Sequence, residues 1–380
     1  MPGPQAPCYD IAIVGGGCAS FQLLHALSRQ PGGQELRVLL LAPEETLSRS
    51  WCFWSRKPHP LQHLVAKTWD ALAFRAPGVN AHAEIAPYRY HYVPGERFFR
   101  YFEDTFLPEQ PHVTRVRTTV DAITRESRGF TLTGSGQTWH ARQVFSSRMP
   151  PAQPARTHLW QHFQGGFLRA ERPIFDDSVA TLMDFSLPGH DLRFVYVLPF
   201  TPTEALVEVT AFSHDTYEPG RYDALLEGYL QDHFPSVGFT VTDREAGRIP
   251  MTDRRFSRHG PAGETLIGTA AGMVKATTGY AFQRITRDSV QLARHAVTGT
   301  PLEWPATTGR FRFYDQLLLG IFAHNPEAGA RVLARMFDAV PLPRILRFLD
   351  EDSGPMEELS LILRLPHAPF LEQLVRRSLP

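Results

Sequence analysis

Three cysteines in 380 residues, at positions 8, 18 and 52, are too few and too oddly spaced for a disulfide framework or a metal site. Free thiols in a reducing compartment, or small apolar fillers, are expected, and no metal. Net charge is missing as well. Lys plus Arg number 39 and Asp plus Glu 39, so the basic excess that marks a nucleic-acid partner is absent. No apolar run approaches the roughly 18 residues of a membrane span. The first residues do not pair a basic stretch with an apolar one, so a secretory signal is not expected. Repeats and low-complexity segments are also lacking, which argues against a repeat architecture. What the chain has in quantity is rings: 26 Phe, 11 Tyr and 6 Trp. They suit a large core in two or three packed units, and equally a long apolar substrate tunnel.

The most informative stretch lies near the start. Tyr9-Asp10-Ile11-Ala12-Ile13-Val14 reads as a buried parallel strand. Gly15-Gly16-Gly17 follows, then a helix from Ala19 to Arg29, then a second buried strand, Arg37 to Leu41. A strand, glycine turn, helix and strand in this order is the setting of a dinucleotide site. Glycine lets the backbone approach a pyrophosphate, and the helix N-terminus offers free N–H groups. Gly15 and Gly17 fill two glycine positions of the fingerprint, and Ser20 stands at the third. The acidic residue expected after the second strand is replaced by Ala42, with Glu44 and Glu45 just beyond. An ordinary tight strand–helix turn is the plainer reading.

Further along, Ser50 to Trp54 reads as an aromatic loop, either a pocket wall or a core staple. Leu61 to Phe74 suits a helix turning into a strand. Tyr88 to Val93 alternates as a strand does, with Pro94-Gly95 as a turn and a helix from Glu96 to Phe106. Val113 to Thr119, Gly129 to Thr133 and Gln143 to Phe145 are short strands, and Gly134-Ser135-Gly136 is a hairpin turn. Proline-rich Ser146 to Arg156 reads as a crossing between units. Ser178 to Phe185, Arg193 to Phe200 and Glu204 to Phe212 are strands joined by short turns, hence antiparallel. In the last of them Leu206, Glu208, Thr210 and Phe212 share one face. Tyr222 to Phe234 is a helix. Thr265 to Gly268 is a strand leading through small residues to a helix that opens at Thr277 to Tyr280, a second place for a phosphate or flavin ring. From Phe311 the chain is helical.

Read together, these blocks resemble the flavin-dependent lycopene cyclases of the β-cyclase type, which make cyclic-ended carotenes. The resemblance is carried by Tyr9-Asp10 to Gly17, Trp51-Cys52-Phe53-Trp54, Tyr90-His91-Tyr92, Met183-Asp184-Phe185 and Phe194 to Pro199. It continues through Glu245-x-Gly247-x-Ile249-Pro250-Met251, Gly268 to Met273, and Thr278-Gly279-Tyr280. It implies an α/β (α+β) fold like that of flavoprotein hydroxylases and geranylgeranyl reductases. Residues 1–60, 90–155 and 240–300 would form a discontinuous FAD-binding unit, 61–89 and 156–239 an antiparallel-sheet substrate unit, and 301–380 a helical region. It implies FAD held by Gly15, Gly17, Ala19, Glu44, Gly268, Gly272, Met273, Thr278 and Gly279, kept reduced by NAD(P)H. It also implies an essential glutamate, here Glu208. Where relatives carry a second acid, this chain has Val209.

The chemistry supports the same residue. A polyene end has no leaving group, so ring closure starts with protonation of an alkene, and a carboxyl in a dry pocket stays protonated and able to donate. A solvated residue on an exposed strand is the plainer reading of Glu208. Asp184 is a second candidate acid or base, and otherwise a turn cap. Glu245 suits a flavin-loop or ion-pair role, and His91 a proton carrier or a satisfied core residue. A redox enzyme on the same fold and a non-catalytic pigment-binding protein are the rival readings. The lipophilic carotenoid implies a cytoplasmic protein attached peripherally to a membrane surface. Leu318, Leu319, Ile321 and Phe322, or Ile345, Leu346 and Phe348 beside Arg344 and Arg347, are expected as contacts or else as plain core.

Overall fold

Runs such as Ile11 to Val14 and Val38 to Leu41 have apolar side chains on both faces, so they need cover on both sides, and the fold gives it to them. The computed structural model describes residues 8–43, 49–151, 154–304 and 307–378. Strand Cys8–Val14 lies between Val38–Ala42 and Gln137–Ser146, parallel to both, and Val113–Arg117 extends the sheet beyond Val38–Ala42. Ile11 and Ile13 face a core shared with helices Cys18–Arg29 and Phe282–Thr298. Ala12 and Val14 face the opposite way, onto Phe130, Leu132 and Trp139. The hairpin Gly129–Gly134 to Gln137–Ser146 turns through Ser135 and Gly136, both at positive φ. Ala122–Glu126 adds an antiparallel edge strand.

A second sheet of seven strands runs Phe239–Thr252, His158–Ala170, Glu204–Ser213, Leu192–Pro199, Val179–Asp184, Ala71–Ala76 and Val79–Glu84. All its pairings are antiparallel except that of Val179–Asp184 with Ala71–Ala76. One face is covered by helix Pro219–His233, which packs on Ala205, Val207 and Val209. The other packs toward Trp54, Trp69, Tyr90 and Tyr92 and the C-terminal helices. Five helices from Gly309–His324 to His367–Ser378 close that side among the described residues. Pro326 and Pro355 open two of them, where a missing N–H costs nothing, and Asn325 caps the first by accepting from the Ala328 amide at 2.9 Å.

Several local expectations change. The aromatic run is a strand, Trp51–Ser55, in a three-stranded antiparallel sheet with Arg89–Val93 and Lys67–Trp69. Only a 3₁₀ turn, Gln62–Leu64, stands where a helix was expected before Phe74. Gly95 begins helix Gly95–Arg100 instead of ending a turn, and the segment Tyr101–Phe106 continues it with wider turns.

Candidate active site

The second, largely antiparallel sheet of seven strands, the three-stranded sheet and the C-terminal helices line a cavity of about 1070 Å³. At one end it touches the glycine turn. Gly15 sits at φ 110°, and a Cβ there would come within 1.9 Å of Ser147 Oγ, so this glycine serves the turn itself and does not line the cavity. Gly17 differs. It caps helix Cys18–Arg29 without a side-chain bond, and a Cβ there meets no atom within 4 Å. Gly17, Ala19, Gly268, Thr278 and Gly279 all line the cavity. Gly272 and Met273 do not: Gly272 takes a left-handed turn under Phe256, and Met273 is core. Glu44 lies outside the described residues. Gln161 Oε1 and Thr278 Oγ1, on two residues of the lining, are buried without hydrogen-bond partners. Open space over a capless helix N-terminus, edged by unsatisfied polar atoms, fits a flavin nucleotide.

The cavity also carries the acid. Leu206, Glu208, Thr210 and Phe212 project into it from strand Glu204–Ser213. Glu208 is 7 % exposed, and its Oε1 has no hydrogen-bond partner. Burial pushes its carboxyl well above the usual range, and the negative charge of Glu245 adds to that. Glu245 also lines the cavity. It accepts a hydrogen bond from the Ser50 amide at 2.8 Å, and burial raises its carboxyl too.

Asp184 is placed elsewhere. It is buried but does not line the cavity. Its carboxylate accepts from Tyr229 Oη at 3.1 Å and the Ser186 amide at 3.1 Å, with Arg75 at 3.5 Å. Its oxygens are therefore satisfied by neighbours outside the cavity lining. His91 is held between Ser55 and Thr68, and burial brings its imidazole down to about 4, so it stays neutral.

Two groups were invisible to sequence reasoning. Tyr90 Oη shares hydrogen bonds with Tyr196 Oη at 2.5 Å and Tyr280 Oη at 2.7 Å, and Tyr196, Tyr280 and Cys52 all face the cavity. Lys275 Nζ donates to Asp315 Oδ2 and Glu351 Oε1, both at 2.8 Å, while Thr277 donates to Asp315 and Arg284 pairs with Glu351. This buried network ties the loop before Phe282 to the C-terminal helices. Members of both groups are far apart in sequence: the blocks holding Cys52, Tyr90, Tyr196 and Tyr280 were each visible but not their meeting, and Lys275, Asp315 and Glu351 lay in none of them.

The far end of the cavity is apolar, walled by Leu361, Leu365, Phe370, Leu371 and Leu374. Leu371 is also 60 % exposed, so the wall reaches the surface. Exposed apolar side chains gather on the last two helices, with Met356, Leu359 and Leu363 on Pro355–Ile362 and its end, and Leu371, Leu374 and Val375 on His367–Ser378. Of the residues expected as surface contacts or else as plain core, Leu319, Ile321, Phe322, Ile345 and Leu346 are buried, and Leu318, Leu346 and Phe348 line the cavity. No helix among the described residues is long and apolar enough to cross a membrane.

Comparison with known proteins agrees with this architecture. The family model described as lycopene cyclase protein matches residues 10–375. A lycopene beta-cyclase of Pantoea ananas is 26 % identical over 394 residues, covering 97 % of each chain. Among solved structures, a geranylgeranyl bacteriochlorophyll reductase-like protein of Thermoplasma acidophilum superposes with a TM-score of 0.61 at 12 % identity, covering 96 % of this chain and 98 % of that one. A flavin-dependent monooxygenase solved with FAD and substrate gives 0.56 at 13 % identity, covering 95 % of this chain and 73 % of that one. The fold is that of the flavoprotein hydroxylases and reductases.

Proposed function

Because the chain belongs to the lycopene cyclase family, we propose that it closes the linear ends of lycopene into β-rings by acid catalysis, without net redox change. The observation that carries this reading is Glu208: a carboxyl with no hydrogen-bond partner on Oε1, raised by burial, in a largely apolar cavity of about 1070 Å³. Glu208 holds the proton and delivers it to the terminal alkene. Leu206 and Phe212 exclude water beside it, so the resulting tertiary cation is attacked by the neighbouring double bond and not quenched. The rings and phenols of Trp54, Tyr196 and Tyr280 line the cavity and offer π faces and oxygen lone pairs to positive charge. The discontinuous division into a flavin-binding unit, a substrate sheet and a helical region is part of the same proposal.

Residues around Gly17 and Thr278 would hold FAD, with NAD(P)H as the external reductant. When bound and reduced, FAD supplies negative charge that stabilises a cation in the cavity. Gly17→Val tests the placement, because a Cβ there meets no protein atom within 4 Å. The variant should melt with the parent and lose its flavin absorbance. Full flavin content in the variant would sink the placement.

A lipid-dissolved substrate also needs a route in. We place peripheral membrane contact on the last two helices, where the cavity wall reaches the surface and apolar residues recur three or four apart. Replacing Met356, Leu359, Leu363 and Val375 with serine should abolish co-flotation with liposomes of mixed neutral and anionic lipid. Flotation equal to the parent, or a parent that never floats, would count against this surface.

The function itself is tested by anaerobic conversion of lycopene with reduced flavin, read by chromatography and mass. A product of unchanged mass with cyclic ends is expected. Added oxygen would mark a monooxygenase and added hydrogen a reductase.

A further inference from the structure

Position 209 faces the wrong way for this cavity. Val209 is fully buried with Ala205 and Val207 under helix Pro219–His233, so a second carboxylate for the cavity has to come from another strand. The sheet supplies one. Gly165 pairs with Glu208 on one side and with Glu245 on the other. Residues directly opposite across a ladder project to the same face, and both glutamates line the cavity. Between them stands a residue with no side chain, and the gap is needed: a Cβ at position 165 would lie 2.5 Å from Glu208 Cγ and 2.4 Å from the Val207 carbonyl oxygen. Strands two apart are separated by about 10 Å, close enough for two glutamate side chains to act on one end group.

The two carboxyls have unlike surroundings. Glu245 Oε1 accepts from the Ser50 amide, whereas Glu208 Oε1 accepts from nothing. An ionised carboxylate is stabilised by donors and a protonated one does without them, so the pair divides into an acid and a base. We propose that Glu245 is the base of the cyclisation, sharing one proton with Glu208 across the gap left by Gly165. This rests on the reading of the cavity as a cyclase site.

The steps balance. The Glu208 O–H bond breaks, and the alkene π pair forms a new C–H bond with its proton. The neighbouring double bond supplies the pair for the ring C–C bond, which moves the positive charge to a ring carbon. Glu245 then removes a proton from the adjacent carbon, and that C–H pair becomes the ring alkene. Passage of this proton back to Glu208 restores the starting state, with no electron gained or lost. Because each turnover needs Glu208 protonated and Glu245 ionised, activity falls at both pH extremes, and the acid limb belongs to Glu245.

Glu245→Gln tests the assignment while keeping an acceptor for the Ser50 amide. With parental melting and flavin absorbance as controls, lycopene conversion should fall by about 10²–10⁴, and the residual rate should lose the acid limb of its pH profile. Glu245→Asp should restore that limb. A Gln variant within a few-fold of the parent, with the acid limb intact, would overturn the proposal. If the Gln variant does not fold, the parent's own profile decides: an acid limb is required, and its absence refutes a carboxylate base. Failure of the parent to cyclise lycopene at all would sink the functional reading instead.

Discussion

Glu208→Gln is expected to lower lycopene conversion by about 10²–10⁴, at or beyond the upper end of that range, because an alkene has few other routes to a proton. The substitution is nearly isosteric, and Glu208 Oε1 has no hydrogen bond to lose. Melting temperature and flavin content should therefore stay with the parent, which separates chemistry from folding. The pH dependence has a definite sign. Burial raises the Glu208 carboxyl, so the proton-donating form persists to higher pH than in a free glutamate and is lost as pH rises through that raised value. An alkaline limb should appear in the parent. Val209→Ala, whose side chain packs under helix Pro219–His233, should leave the limb in place and act mainly on stability. Conversion by the Gln variant within a few-fold of the parent would remove Glu208 as the acid. Asp184 is then no substitute, since Tyr229, Ser186 and Arg75 already hold it outside the cavity.

The face of Glu208 was legible because strand period is strict: Leu206, Glu208, Thr210 and Phe212 alternate with buried valines, and one register fixes all of them. The first glycine turn was legible for a similar reason, its strand, turn, helix and strand being contiguous. Strand His158–Ala170 went unread. It carries Gly165 and Gly166 with His and Gln between its apolar residues, a composition that lowers strand propensity. Gly165 is there for the close approach of Glu208, which local propensity does not encode. Phe239–Thr252 is largely exposed and polar along its first half and gave no apolar period. Between surface contact and plain core the apolar helices gave no choice, because hydrophobicity alone does not say which helix is covered. Leu319, Phe322 and Ile345 are inside, and the less apolar last helix is outside.

Lys275→Met is expected to have the largest effect on stability. The ammonium is buried and holds two carboxylates at 2.8 Å, Asp315 and Glu351. Removing it leaves Asp315 with only the Thr277 hydroxyl, and Glu351 with Arg284. Breaking a buried pair by deleting one partner costs about 3–5 kcal/mol, because the remaining charge stays buried. The loss should shrink in acid. Burial raises the Asp315 carboxyl, and a carboxyl raised in the folded state favours folding below its unfolded value and loses that contribution as pH rises through the folded one. A neutral Asp315 needs no counter-charge, so the melting difference between variant and parent should narrow as pH falls. Adding Asp315→Leu to Lys275→Met should recover much of the loss at neutral pH, since apolar replacements of buried ion pairs are often neutral or better. Thermal melts of the parent, the single variant and the double variant at neutral and acid pH check all three statements. A single variant that melts with the parent at neutral pH would mean that the network does not hold the loop before Phe282 to the C-terminal helices.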